Sequence, residues 1–225
     1  RVPAAWVIKR LPNLNLKETM VYGTAGLTAM LSVASLVDAG VKAKDGEVLV
    51  TGTTGGVGSF AARTLVKLGY EVVGVQRGPE EETFLDSLGL KRIVPVEEVD
   101  DQSGRPLGKG LWAGVIDTVG GNILYTAIKT TRYGGSITCC GNAASNSLPA
   151  TVLPFILRGI TLYGIDSVEC PMDYRLRVWN KIAGDWKLDN VEALAEECSL
   201  EELNEKIDMI LQGQIQGRVV VNLSR

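Results

Sequence analysis

Val48-Leu49-Val50-Thr51-Gly52-Thr53-Thr54-Gly55-Gly56-Val57-Gly58-Ser59 is the stretch on which the fold turns. Its opening, residues 47–51, is apolar and rich in β-branched side chains. With the turn Lys44-Asp45-Gly46 before it and glycine after it, it predicts a short buried strand. Residues 59–68 carry a helical run that Gly69 stops. Between strand and helix, glycines fall at 52, 55 and 58. Glycine permits positive φ and lets backbone N–H groups reach an anion with no Cβ in the way. The start of the helix adds its favourable partial charge. Strand, glycine loop and helix in this order make the phosphate-binding corner of a dinucleotide fold, provided that further β-α units follow.

They do follow. Residues 70–75 predict a second strand, ending at Gln76-Arg77-Gly78-Pro79, then a helix over 80–88 and a third strand over 92–96. A fourth strand (112–117), a helix (122–130), a fifth strand (135–140) and a sixth (160–165) continue the alternation. Upstream, 18–39 is apolar-periodic and predicts a long helix ended by Gly40; downstream, 198–212 predicts an amphipathic helix and 217–222 a final strand. This spacing implies an α/β fold, a doubly wound parallel sheet covered on both faces. The sixth strand, Ile160 through Ile165, is apolar along its length and is expected at the sheet edge, where unpaired N–H and C=O groups invite a second copy.

Composition narrows the chemistry. The 225 residues are 45% hydrophobic, with a net charge of −3, which argues against nucleic acid or an anionic membrane as partner. No apolar run stands out as a bilayer span and no signal peptide opens the sequence, so a cytoplasmic protein is expected. The cysteines at 139, 140, 170 and 198 form no Cys-x-x-Cys pair and read as reduced thiols. There is no histidine, which removes His-based triads and nearly all catalytic zinc sites; no metal is expected.

Cofactor choice lies at the end of the second strand. NAD-specific sites place an Asp or Glu there for the ribose hydroxyls. Here Gly74-Val75-Gln76-Arg77-Gly78 offers no carboxylate before Glu80, and a guanidinium can bind a 2′-phosphate that a carboxylate would repel. The expected cofactor is NADPH.

Thr51-Gly52-x-x-x-Gly56-x-Gly58 with Tyr125-Thr126-Ala127-Ile128-Lys129 matches the short-chain dehydrogenase pattern, in which the lysine would lower the phenol's pKa. The context disagrees, because some 50 residues precede the glycines and position 112 is Trp, not Ser. At helical spacing Tyr125 and Lys129 read as one helix face. A second family fits the whole chain. Val21-Tyr22-Gly23-Thr24-Ala25-Gly26-Leu27-Thr28-Ala29 followed by the glycine loop resembles the medium-chain dehydrogenase/reductase superfamily, of the zinc-free quinone oxidoreductase type. Trp112-Ala113-Gly114-x-Ile116-Asp117-Thr118-Val119-Gly120, Tyr133-Gly134-Gly135-Ser136, Leu153-Pro154-Phe155-Ile156-Leu157-Arg158, Gly164-Ile165-Asp166-Ser167-Val168 and Ile215-Gln216-Gly217-Arg218 resemble its YhdH/YhfP group, which includes acryloyl-CoA reductases.

The resemblance implies an NADPH-dependent reductase of enones, enoyl thioesters or quinones, and a homodimer joined through Ile160 to Ile165. It implies that Thr54, Gly55, Gly56, Val57 and Gly58 meet the pyrophosphate, that Gln76, Arg77 and Gly78 surround the 2′-phosphate, and that Asn142, Ile156 and Ser167 lie along the nicotinamide half. Two positions depart from the group: Val96 stands where an arginine is usual, and Gly213 where an asparagine is. The family's GroES-like catalytic domain is matched only by remnants at both ends. Residues 1–20 are expected to hold its last strand and a linker, 21–168 the Rossmann domain, and 169–225 a helical segment and strand returning to it. The catalytic residues are therefore expected outside this sequence, and the chain alone is expected to bind NADPH and reduce little. A non-catalytic NADPH-binding module is the alternative.

Overall fold

The computed structural model describes residues 1–224. Helix α1 (Leu16–Asp38) starts on Asn15, whose side chain accepts from the Glu18 N–H while the Glu18 carboxylate accepts from the Asn15 N–H, a reciprocal cap. Then come β1 (Val48–Val50), α2 (Gly56–Lys67), β2 (Val72–Gln76), the short α3 (Glu82–Asp86) and β3 (Arg92–Pro95). The second half runs β4 (Trp112–Asp117), α4 (Gly121–Thr130), β5 (Thr131–Cys139), α5 (Leu153–Arg158) and β6 (Thr161–Gly164). All six strands are parallel, in the order β3-β2-β1-β4-β5-β6. The order reverses between β1 and β4, the crevice at which doubly wound sheets bind ligands. The expected parallel fold is present, with β6 at its edge.

Alternation along β1 separates two cores. Val48 and Val50 face α1, α2 and α6 (Met172–Ala183), while Leu49 faces the layer holding Leu124 and Ile128 of α4 and Phe155 of α5. Both faces of the central strands are buried, which is why β1 is continuously apolar in sequence and β4 is apolar up to Asp117.

Three expectations needed correction. Helix α1 is long and apolar enough to cross a membrane by length and composition, although no such run was expected. It is a core helix here, with Val21, Met30, Val33 and Leu36 fully enclosed. Residues 1–12 form no strand, only a 3-10 turn at Ala4–Trp6, because no neighbouring strand among the described residues offers them a ladder. The expected helix 198–212 is shorter: β7 (Ala195–Cys198) ends at Cys198, and α7 spans Leu203–Leu211. β7 pairs in parallel with the final strand β8 (Arg218–Val221), so Glu196 and Glu197, helix formers by propensity, lie in a strand.

Candidate functional site

The glycine loop joins β1 to α2 at the carboxyl edge of the sheet, and helix α2 begins at Gly56, so Gly58 lies in its first turn. Backbone packs so closely here that side chains are excluded. A Cβ on Gly58 would stand 2.1 Å from the Gly52 carbonyl oxygen, and one on Gly52 (φ +58) would stand 2.2 Å from Thr118 Oγ1. The opposite wall follows β4. Asp117, fully buried, accepts from Thr51 Oγ1 (2.7 Å), the Gly120 N–H (2.8 Å) and the Val119 N–H (3.3 Å). Burial pushes its carboxyl above the usual range, and those donors partly offset the push. Thr118 in turn donates from Oγ1 to the Thr51 carbonyl at 3.0 Å. The two crevice loops are thereby locked together.

Between them opens a cleft of about 580 Å³, lined on one side by Gly52, Thr54, Gly55, Gly56 and Val57 and on the other by Thr118, Val119 and Ala144. Its remaining walls are Arg77 at the end of β2 and the segment after α7, with Gly213, Ile215, Gly217 and Arg218. Sequence reasoning passed over Arg218. Its guanidinium stem runs across Gly56 (Cδ lies 2.9 Å from an ideal Cβ there), and Nη2 reaches Gly23, where α1 breaks at φ +47. Its Nε is buried with no hydrogen-bond partner among the described residues, and burial lowers its pKa. A desolvated cation beside a helix N-terminus is a strong place for an anion.

Arg77 lies at the other end of the cleft. Sequence reasoning put no carboxylate at the end of β2, yet the 3-10 turn Pro79–Glu81 returns Glu81 to it. Glu81 is 1% exposed and accepts from the Arg77 N–H (2.8 Å), Arg77 Nε (2.8 Å) and Thr54 Oγ1 (3.1 Å). The one sequence signal was the four-residue spacing from Arg77. Gln76 Nε2 donates to the Gly78 carbonyl within its own turn. Gly213, the departure noted above, supplies a carbonyl that accepts from Arg77 Nη2 at 3.2 Å. Val96 packs against the α4 side of the sheet. Arg92 is not a substitute for the missing arginine: at the opposite end of the sheet it forks onto Glu47 (2.8 and 3.0 Å) and lies over Trp112.

The nicotinamide-side residues are less gathered. Asn142 lines a second open cleft beyond β5 and β6, with Cys140, Gly164 and Ile165. Ser167 accepts from Thr28 Oγ1 at 2.9 Å, tying the end of β6 to α1. Ile156 stands on α5, 70% exposed, and lines neither cleft. Cys140 is no thiolate nucleophile, since burial pushes its thiol up to about 11. Tyr125 and Lys129 do not form an acid pair facing the cleft. Lys129 is 1% exposed and ion-paired with Asp101 at 2.7 Å, and Tyr125 is buried. Among the described residues no group of three His, Cys, Asp or Glu side chains is arranged to hold a metal.

Residues 56–183 match the family of zinc-binding dehydrogenases. The acrylyl-CoA reductase AcuI of Ruegeria pomeroyi is 45% identical over 99% of this chain and 68% of its own length. YhfP of Bacillus subtilis, named as a quinone oxidoreductase, is 46% identical over 99% of the chain and 68% of its own length. Its crystal structure with NAD bound superposes with a TM-score of 0.95. The YhdH oxidoreductase of Salmonella enterica, solved in complex with NADP, also gives 0.95, at 42% identity over 99% of this chain and 68% of that one. The chain thus spans about two thirds of the length of the relatives it matches. At 42–46% identity over 99% of its length, the chain belongs to the medium-chain dehydrogenase/reductase superfamily, in its YhdH/YhfP/AcuI quinone oxidoreductase-like group.

Proposed function

We propose that this chain binds NADPH across the carboxyl edge of its sheet and serves an NADPH-dependent reduction of an activated double bond or quinone, acryloyl-CoA-like thioesters included. The observation that carries the proposal is the cleft itself, lined by a loop whose Gly52 and Gly58 leave no room for a Cβ and by two arginines, Arg77 and Arg218. The loop and the start of α2 present N–H groups to a pyrophosphate, and Arg218 adds a guanidinium whose Nε lacks a partner among the described residues. Arg77 offers its guanidinium to a 2′-phosphate. NADPH supplies the hydride; these residues fix where it is delivered. Asn142 and Ser167, further along the same edge, and Ile156 on α5 are proposed for the nicotinamide half. A cytoplasmic location agrees with the four free cysteines.

Relatives have been solved with NADP and with NAD, so the preference calls for direct measurement. Calorimetric titration is expected to show NADPH binding at least about tenfold more tightly than NADH, or about 1.4 kcal/mol, with Arg77→Ala closing most of the gap. Equal affinities in the unmodified protein refute the assignment. NADPH oxidation followed with acryloyl-CoA and with a small quinone, for this chain and for a version restored at its N-terminus, then separates the two substrate classes; little turnover is expected of this chain alone, and no oxidation by the restored version favours a non-catalytic binding module.

A two-fold dimer through β6 is proposed with it. The strand is the sheet edge, and Leu162 and Tyr163 are half-buried. Sedimentation at micromolar concentration is expected to give a dimer that Leu162→Pro splits; a monomeric unmodified protein refutes it.

A further inference from the structure

We infer that Glu81 is a positioning residue that holds Arg77 ready for the 2′-phosphate, and so sets the selectivity of the cofactor site. The inference rests on the cofactor reading above. A carboxylate at the end of the second strand would ordinarily disfavour a 2′-phosphate by charge. Here it is buried and fully engaged. Oε2 accepts from the Arg77 backbone N–H; Oε1 accepts from Arg77 Nε and Thr54 Oγ1 and lies 2.7 Å from Arg77 Nη2. The Glu81 side chain is 2% exposed and that of Arg77 is 56% exposed, so the buried partner fixes the one that reaches solvent. The Gly213 carbonyl takes a further Nη2 bond, which leaves the N–H groups of Nη1 for a ligand. Thr54 belongs to the glycine loop, so one carboxylate aligns the phosphate-binding arginine with the pyrophosphate loop. Preorganisation of this kind strengthens binding by removing the ordering cost from the binding step.

The test compares 2′,5′-ADP with 5′-AMP, two ligands that differ only in the 2′-phosphate. The unmodified protein is expected to bind 2′,5′-ADP at least about tenfold more tightly. In Glu81→Gln the negative charge is lost and the amide nitrogen must face either the Arg77 backbone N–H or its Nε, so one side of the clamp breaks and the guanidinium is held less firmly. Selectivity is then expected to fall to about threefold or less with 5′-AMP binding unchanged, a split that general unfolding does not produce. If Glu81 acted only as a nearby negative charge, its neutralisation would tighten 2′,5′-ADP binding. Tighter or unchanged binding in the variant therefore overturns the role of Glu81 alone. No discrimination in the unmodified protein overturns the cofactor reading as well. Should the variant fold poorly, nitrogen-detected NMR of the unmodified protein decides: the Arg77 Nε–H signal is expected to stay protected when 2′,5′-ADP binds. Its loss on binding shows that Arg77 leaves Glu81, which overturns the inference.

Discussion

Gly58→Ala tests the loop geometry most directly, with Gly55→Ala as its control three residues away. A Cβ at position 58 would lie 2.1 Å from the Gly52 oxygen, 2.8 Å from the Gly52 carbonyl carbon and 2.9 Å from Thr53 Cα. Non-bonded carbon contacts settle at about 3.5–4.0 Å, so the two strands of the loop would have to part by roughly 1 Å. Gly52 cannot retreat cheaply. Its carbonyl accepts from the Gly55 N–H at 3.0 Å, and Thr118 Oγ1 occupies the space beside its Cα where a Cβ would stand. Overpacking of this kind costs about 1–3 kcal/mol. At about 2–4 °C per kcal/mol for a domain of this size, the melting temperature should fall by roughly 2–12 °C. At Gly55 the added Cβ meets only the Gly52 oxygen, at 3.3 Å, and the backbone (φ −75, ψ 168) suits alanine. That contact is tight but asks the oxygen to give by only a few tenths of an ångström, so Gly55→Ala is expected to cost less than Gly58→Ala, below about 1 kcal/mol. Differential scanning calorimetry reads both variants, and NADPH titration of Gly58→Ala should show weakened binding because the start of α2 moves. If Gly58→Ala melts with Gly55→Ala and binds NADPH as before, the packing argument for the loop is wrong.

Two further predictions concern stability. Tyr22 is fully buried, stacks at 5.1 Å on Phe60, and its hydroxyl accepts from the Leu188 N–H at 2.9 Å. Tyr22→Phe leaves that N–H buried without its partner and should cost about 1–3 kcal/mol in urea denaturation; a change below about 0.5 kcal/mol would mean that water replaces the hydroxyl. Acid should also weaken the fold. Glu18 is held low chiefly by its Lys187 hydrogen bond, Glu47 by Arg92, and Asp101 falls to about 2 chiefly through Lys129. A carboxylate whose folded pKa is depressed adds stability that is present above its unfolded value near 4 and lost as pH falls through the lower folded one. Asp117, raised by burial, runs in the opposite sense and softens the decline. Urea midpoints are expected to drop from pH 4.5 to pH 2, less steeply in Asp101→Asn; an identical slope in that variant would show that the Asp101–Lys129 pair is silent.

The sequence by itself determined the local elements and the kind of sheet they build. Apolar, β-branched strands such as Val48–Val50 need cover on both faces, and helices separate most of them, so a parallel doubly wound sheet follows from their alternation. The tight glycine turn was equally legible, because glycine at 52 and 58 between strand and helix is a requirement of close backbone packing written one residue at a time. What only the tertiary structure decided were meetings between residues far apart in the chain or brought round by an unforeseen turn. Arg218 reaches Gly56 and Gly23 across more than 160 residues, and β7 is a strand only because β8 lies beside it. Glu81 is the middle one of three consecutive glutamates with only its spacing from Arg77 to single it out in the sequence, and a single 3-10 turn folds it into the interior against Arg77 and Thr54. Hydrogen-bond partners and burial are set by the packed chain and have no period of their own, and the selectivity proposed for this site rests on them.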